Sequence, residues 1–446
     1  MFDHLQVYER RERWAVGLAD VALRALAAPA RLRGRHPVEA VPRRVLVLRL
    51  ERIGDLFMTF DALARLRASL PSAGIDLVVG SWNESLAHAM AVADRVDLLD
   101  APWLARDHPG STWTRLLSHA RGWRRQGYDL AINLEPDIRS NLLLGLSGAR
   151  RRVGYYTGGG GAMLTDVAAY DPTLHTHENA VRLVEFAMSA VSTAELRAGE
   201  PGAAEPGAGN PRMGADASRG GSPPGLKSQP ASGESRQPRQ RGESLRLQLP
   251  EASRERAGRL LAPAAGALCI GLHASGGRPV KQWHTGRFAE VATALAREYG
   301  ATMVLTGTSH DTPIVRDVQA AIPSNVRVVN VSGQADLLDL AAVLERLAVF
   351  VTGDTGPMHL AAAVGTPLVA LFGPSDPARY APRAETSRIV RIDLPCSPCN
   401  RIRLPPERCR GHVPDCLDGV TVDQVVAAVR ELMPHDSGRF LHAVDS

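Results

Sequence analysis

The stretch Thr352-Gly-Asp-Thr-Gly-Pro-Met-His-Leu-Ala-Ala-Ala-Val-Gly-Thr-Pro-Leu-Val-Ala-Leu-Phe372 decides the fold. An apolar run, Leu347 to Val351, leads into it and reads as a strand buried on both faces. The chain then turns through Gly353, Asp354, Thr355 and Gly356. Pro357 suits the first turn of a helix, where its missing N–H costs nothing. Met358 to Val364 can form that helix and Gly365 ends it. A second buried strand, Leu368 to Phe372, follows. A helix opening on Thr355 and Gly356 turns free N–H groups and a positive dipole end outward, which suits a phosphate, and His359 could add a donor. The other reading is an ordinary helix capped by Asp354 or Thr355, with His359 on the surface.

Working outward, strands alternate with helices on both sides of this unit. Strands are expected at Leu268–Leu272, Thr302–Thr306, Val326–Val329 and Val349–Val351. Helices are expected at Gly286–Tyr299, Thr312–Ala321, Asp336–Leu347 and Val422–Met433. Such alternation implies a parallel sheet covered on both faces. An earlier unit repeats the pattern. Its strands are Val45–Leu50, Ile75–Gly80, Val96–Asp100 and Asp129–Leu134. Its helices are Leu56–Leu70, Ser85–Ala93, Trp113–Arg125, Ile138–Leu146 and His177–Val191. Gly158 to Gly161 is a loop rather than a phosphate loop, since no Gly-Lys-Ser/Thr follows.

Between the two units the composition changes. Residues 195–244 are dense in Gly, Pro, Ser, Ala, Arg and Glu with few large apolar side chains, so they are expected to be a disordered linker. The expected organisation is a basic helical extension over 1–43, an α/β domain over 44–194, the linker, a second α/β domain over 245–433, and a tail over 434–446. The extension sets Leu5, Trp14, Leu18 and Val21 among arginines, as in amphipathic helices that lie on anionic membranes. Its broken apolar stripe and mixed-in acids favour a helical extension packed on the domain or left mobile.

Composition sets limits on partners. The chain has 446 residues and a formal charge of +5, mostly from arginine. That suits an anionic ligand or a membrane surface and is too small an excess to indicate nucleic acid. No apolar run approaches the ~20 residues that span a bilayer. The charged start, Met1 to Arg13, does not read as a secretory signal. The cytoplasm, or the cytoplasmic face of the inner membrane, is the expected location.

Three polar turns follow strands, where open parallel sheets bind ligands. They are Arg49-Leu-Glu-Arg-Ile-Gly-Asp55, the stretch from His273 through Gly276, Gly277 and Lys281 to Trp283, and Asp354-Thr-Gly-Pro-Met-His359. In this order and spacing they resemble glycosyltransferase family 9, the lipopolysaccharide heptosyltransferases and their relatives. There R-x-x-x-I-G-D follows the first strand, H-x-G-x-x-x-x-K-x-W opens the second domain and D-T-G-x-x-H lies at the donor site. The resemblance covers about residues 44–430 apart from the linker.

What the resemblance implies is a GT-B fold, two Rossmann-like domains facing across a cleft, acting as an inverting glycosyltransferase. Such an enzyme would move heptose or a related sugar from a nucleotide donor such as ADP-heptose to a lipopolysaccharide-core or other glycan acceptor. It implies no required cofactor. Asp55 matches the catalytic aspartate, which would strip the acceptor hydroxyl of its proton. Arg49, Arg52 and Gly54 would lie on the acceptor side, Gly54 letting backbone and ligand approach. Lys281 would neutralise the departing diphosphate, helped by Thr355, Gly356 and His359. His273, Gly276, Gly277, Asp311 and Asp354 complete the donor set, Asp311 standing where the family usually has a ribose-binding glutamate. Asp61 and His284 replace family prolines, and Glu51-Arg52 replaces small hydroxyl residues. Without the resemblance, Asp55 reads equally as an acid favoured by a helix N-terminus. A related GT-B enzyme, such as a protein glycosyltransferase or a sugar-nucleotide epimerase, and a non-catalytic sugar-nucleotide-binding module are the alternatives. Intact Asp55 and Lys281 argue against the last.

Four of the five cysteines cluster: Cys396, Cys399, Cys409 and Cys416. Their spacing allows a structural Zn²⁺ or iron site. Reduced, partly buried thiols fit the same spacing.

Overall fold

The computed structural model describes residues 5, 10–32, 41–104, 110–198, 247–402 and 405–433. Two six-stranded sheets dominate it, and every strand pairing within them is parallel. The first comprises β1 Arg44–Arg49, β2 Gly74–Val79, β3 Arg95–Leu98, β4 Leu130–Asn133, β5 Arg151–Tyr155 and β6 Asp166–Ala168. The second comprises β7 Cys269–His273, β8 Thr302–Thr306, β9 Val328–Asn330, β10 Val349–Gly353, β11 Leu368–Leu371 and β12 Ser387–Val390. Strand order is β3-β2-β1-β4-β5-β6 in one and β12-β11-β10-β7-β8-β9 in the other. Each is therefore the doubly wound order in which the chain reverses direction beside its own first strand. Loops after the two strands flanking that reversal frame a crevice. In the first sheet these are β1 and β4, with Leu48 opposite Asn133. In the second they are β7 and β10, with His273 opposite Thr352.

The strands form because their side chains are buried on both faces: Val45 to Leu48, Ile270 and Val349 to Val351 are fully enclosed. Parallel strands covered by helices read as unbroken apolar runs for this reason. Three strands lacked that signal. Arg151-Arg-Val-Gly-Tyr155 carries two arginines, yet Arg151 is buried and its Nε donates to Asp166 on neighbouring β6 at 3.2 Å. β6 and the edge strand β12 are short and only partly covered.

Other boundaries moved for local reasons. The expected helix Leu56–Leu70 is two helices, Ile53–Phe57 and Phe60–Ser69. They separate where the Thr59 hydroxyl bonds back to the Leu56 carbonyl at 2.7 Å. A helix over Glu251–Leu261 precedes β7 and was not expected. The helix closing the first domain spans Thr176–Ala198, past the start of the expected linker at residue 195. The rest of that linker, 199–244, lies outside the described residues, as does the tail after 433. The N-terminal extension is one helix over Arg10–Leu32 packed on the first domain, with Asp20 Oδ1 accepting the Gly160 N–H at 2.8 Å. No described helix is long and apolar enough to cross a membrane.

Candidate active site at the interdomain cleft

In the second domain, β7 and β10 deliver their following loops to one edge because they are neighbours in register. The loop after β7 is folded over itself. A Cβ on Gly276 would lie 2.5 Å from the Lys281 carbonyl, so only glycine fits. Gly277 has φ of +63°. The Gln282 side chain clamps the loop, accepting from Gly276 N at 2.8 Å and donating to the Trp283 carbonyl at 2.9 Å. Trp283 anchors it in the core, edge-on to Phe288 at 4.9 Å. These residues hold Lys281 against the loop after β10, where Lys281 Nζ meets Asp354 Oδ2 at 2.8 Å. Lys281 is thus an enclosed, paired lysine and not a solvated loop residue. Burial works against the Asp354 charge, but Lys281 and a hydrogen bond from Ser375 outweigh it and hold the carboxyl below its ordinary range.

The helix after this loop spans Gly356–Val364 and ends at Gly365 with φ of +86°. Thr355 occupies the N-cap, but no side chain caps the first turn. Its hydroxyl instead faces the Thr352 hydroxyl at 3.2 Å. The capped-helix reading therefore does not hold, and the first turn keeps N–H groups to offer. His359 lies in this turn and is buried rather than superficial. Burial lowers its pKa, while Asp354 and Asp55 act to raise it.

His273, the last residue of β7, is buried with Nδ1 3.1 Å from the Thr306 hydroxyl. Burial keeps it neutral by lowering its pKa, against the pull of Asp311. Asp311 accepts from the Thr308 N–H at 2.8 Å and hydroxyl at 2.7 Å, capping its own helical turn. It also accepts from Ser275, and these bonds lower its pKa despite desolvation. Both residues lie beside the loop after β7.

In the first domain the turn after β1 is built on buried charge. Arg49 is 1% exposed. Its guanidinium donates to the Asp55 carbonyl at 2.9 and 3.1 Å, to Glu51 at 2.9 Å and to the Leu134 carbonyl at 2.9 Å. Desolvation opposes its charge, but Glu51, Asp55 and Glu135 outweigh that and raise its pKa. Arg49 is thus a scaffold of the turn and is turned away from the cleft's solvent. The Asp55 carboxylate accepts the Arg52 N–H at 3.1 Å and remains 28% exposed. One oxygen serves the helix start, the other lies 3.8 Å from the Arg49 guanidinium, and the group still reaches solvent.

The two turns meet across the cleft. A Cβ on Gly54 would lie 2.8 Å from His359 Cδ2, and one on Gly356 would lie 3.3 Å from Ile53. Gly54 thus packs directly against the histidine of the opposite domain, where a larger residue would not fit without a shift. Asp55 of the first domain and Asp354 and Lys281 of the second all act electrostatically on His359. Further contacts tie the domains together: Arg379 donates to the Tyr170 hydroxyl at 3.0 Å and Arg383 pairs with Glu178 at 2.9 Å.

Residues 238–407 match the family model for glycosyltransferase family 9 (heptosyltransferase). The matched stretch covers most of the second domain. Over 116 residues the chain is 33% identical to lipooligosaccharide heptosyltransferase 2 of Haemophilus influenzae and 34% identical to lipopolysaccharide heptosyltransferase 2 of Salmonella typhimurium. Each match covers 26% of this chain and 33% of the relative, so the chain aligns with about a third of these relatives' length. The solved structure of E. coli ADP-heptose lps heptosyltransferase II superposes with a TM-score of 0.64 at 20% identity, covering 87% of this chain and 98% of that one. A glycosyltransferase family 9 structure from Veillonella parvula gives 0.63 at 20% identity, covering 88% and 99%. At such identity the likeness establishes the fold, which is GT-B.

Two features of the two domains escaped the sequence reading. Glu135, just past β4, is 1% exposed. It accepts from the Glu51 N–H at 3.0 Å, from the Leu50 N–H and from the Ser140 hydroxyl at 2.5 Å, and so fixes the turn that carries Asp55. Burial raises its pKa, with Arg49 and Ser140 pulling the other way. Its only signal was an acid directly after an apolar strand. Ser375, beyond β11, was silent because it acts through Asp354. Of the departures, Asp61 lies 3.6 Å from His177 and His284 lies 2.6 Å from Asp418, both outside the site.

The four clustered cysteines line one cavity of about 180 Å³ together with Val280 and Pro374. Among the described residues no group of three or more His, Cys, Asp or Glu side chains is placed to hold a metal, so the structure gives no support to the Zn²⁺ or iron reading. Burial, with the neighbouring thiols, pushes Cys416 up to about 11. The segment supports the site instead: Ser397 donates to the Gly373 carbonyl at 2.8 Å and Asn400 accepts from Asp376 N–H at 2.9 Å, bracketing Ser375.

Proposed function

We propose that the protein is an inverting glycosyltransferase that moves a heptose from ADP-heptose, or a closely related nucleotide-sugar, to a glycolipid acceptor of the lipopolysaccharide-core type. The observation that carries this is His359, which packs against Gly54 and feels Asp55 from one domain and Lys281 and Asp354 from the other. A domain that only bound nucleotide would need the second group but not the first. In this reading the Asp55 carboxylate takes the proton of the acceptor hydroxyl. The hydroxyl oxygen attacks the anomeric carbon from the face opposite the diphosphate. The bond to the diphosphate oxygen breaks, and the nucleoside diphosphate leaves with the electron pair. Lys281, steered by Asp354, and the uncapped helix start at Thr355 and Gly356 receive the charge that develops there. Neutral His359 adds a hydrogen-bond donor without repelling Lys281. His273, Gly276, Gly277 and Asp311 shape the donor side, and Arg49, Arg52 and Gly54 fix the acceptor-side turn. The membrane that carries such an acceptor puts the enzyme at the cytoplasmic face of the inner membrane.

The test is a donor panel. Purified full-length chain is incubated with ADP-heptose and with UDP- and GDP-sugars, each with and without a core-lipid acceptor, and nucleoside diphosphate and glycosylated lipid are measured. Acceptor-dependent release from ADP-heptose is expected. Release from none of the donors would sink the proposal.

A further inference from the structure

The N-terminal helix Arg10–Leu32 buries Gly17 and Asp20 against the first domain, with Val16 and Leu23 half-buried beside them. Asp20 is 4% exposed and is held by the Gly160 N–H at 2.8 Å and by Arg24 at 2.8 Å. Gly17 is buried beside it, and a Cβ on Gly159 would come within 2.7 Å of Val16. This contact sets the rotation of the helix. At about 100° per residue, the opposite side carries Trp14, Leu18 and Val21, with Ala15, Ala22 and Ala25 between them. All six are exposed, Trp14 at 44%, Leu18 at 61% and Val21 at 54%. Burial of apolar surface alone would have turned the helix the other way. A fixed apolar stripe presented outward is a docking face.

We propose that this face is an anionic lipid-binding surface that seats the enzyme on the bilayer. Charge selects the occupant. Arg10 edges the stripe and Arg11 lies within it, both exposed. A tryptophan and aliphatic side chains bordered by guanidinium groups match the boundary between acyl chains and phosphate headgroups. The helix is too polar to span the membrane and lies along it. Its position gives the docking a purpose. The Gly158–Gly161 loop beneath it follows β5 at the carboxyl edge of the first sheet, the edge that carries Asp55. Glu12 of the helix acts on Arg139, which stacks over Trp103 at 4.7 Å beside that edge. Seating the helix brings the acceptor side of the cleft to the membrane. The purpose rests on the glycolipid-acceptor reading; the docking itself does not.

The test is co-sedimentation of the full-length chain with phosphatidylcholine vesicles and with vesicles that also contain phosphatidylglycerol, with no sugar substrate present. Binding to the anionic vesicles is expected, weakening as salt is raised. Leu18→Glu with Val21→Glu should lower the bound fraction roughly ten-fold or more, and the milder Leu18→Ser with Val21→Ser should lower it in the same direction. Thermal unfolding midpoints equal to wild type show that both variants are folded. Absence of wild-type binding, or equal binding by wild type and both variants, overturns the proposal. So does a dimer in sedimentation velocity that the variants dissolve, which would assign the face to a second copy of the chain. Vesicle binding without sugar transfer would instead count against the transferase reading alone, and transfer without vesicle binding against the docking alone.

Discussion

The two sheets share a strand order but not a use for it. Beside β1 and β4 the crevice is occupied by Arg49 and Glu135, each 1% exposed and bonded to backbone and to acids or hydroxyls. Beside β7 and β10 the equivalent place has Gly276, Gly277, Thr355 and Gly356, with one enclosed ion pair, Lys281–Asp354. Topology supplies a ligand crevice in both domains. Side chains fill the first and leave backbone N–H groups and a cation at the second. The first domain is left to present a carboxylate rather than to hold a phosphate. One architecture used twice thus yields a part-exposed carboxylate on one wall and a paired cation among glycines on the other.

Removing the base is the strongest way to break this contrast. Asp55→Asn should cost about 10²- to 10⁴-fold in kcat while leaving ADP affinity within a few-fold, because the residue serves the acceptor. A variant that keeps more than about a tenth of wild-type kcat would remove Asp55 from the general-base role.

Removing the cation should break the other wall. Lys281→Ala should lower kcat by roughly 10²- to 10³-fold and, unlike Asp55→Asn, should also weaken ADP binding. It leaves Asp354 buried without its partner, a change typically worth ~3–5 kcal/mol of stability. Lys281→Met combined with Asp354→Asn is the control that keeps the fold and lacks the charge. Wild-type-like ADP affinity by calorimetry in both variants would refute the phosphate site.

A smaller change sharpens the meeting of the two walls. Gly54→Ala puts a methyl group against the His359 ring and should push the turn away, lowering kcat by about ten-fold or more with ADP affinity unchanged. Steady-state kinetics beside calorimetry separates this from a lost donor site. An unchanged kcat would mean that the close approach at Gly54 is not needed for turnover.

A further effect bears on stability rather than on turnover. His175 bridges the domains in its neutral form: Nε2–H donates to the Ala381 carbonyl at 2.9 Å, and Nδ1 accepts the His177 N–H at 3.1 Å. Burial lowers its pKa from 6.5 to about 4. As pH falls through that window, the unfolded chain takes up a proton that the folded chain resists. Stability should therefore fall between about pH 6.5 and pH 4, by an amount on the order of 3 kcal/mol. Urea denaturation at about pH 7.5 and about pH 5 should show a smaller difference in His175→Gln than in wild type. An equal difference would assign the acid sensitivity to other groups.

The sequence by itself determined nine of the twelve strands and the location of both crevices. Unbroken apolar runs such as Val45–Leu48 and Leu368–Leu371 are required where strands are covered on both faces, and the polar turns after them mark the carboxyl edge. It also determined Gly365, because a helix that must end in the left-handed region leaves little other choice. Tertiary structure decided the rest. Strand β5 forms because Arg151 finds Asp166, a partner supplied by packing rather than by periodicity. Lys281 becomes a positioned charge because register sets His273 opposite Thr352 and so brings the Asp354 loop beside it. Gly54 acquires its reason from a histidine more than a domain away along the chain. The N-terminal helix shows its apolar side to solvent because a carboxylate at Asp20 is claimed by the Gly160 amide. Local patterns report what a residue's neighbours in sequence demand. These four outcomes depend on groups brought near only after the chain has folded.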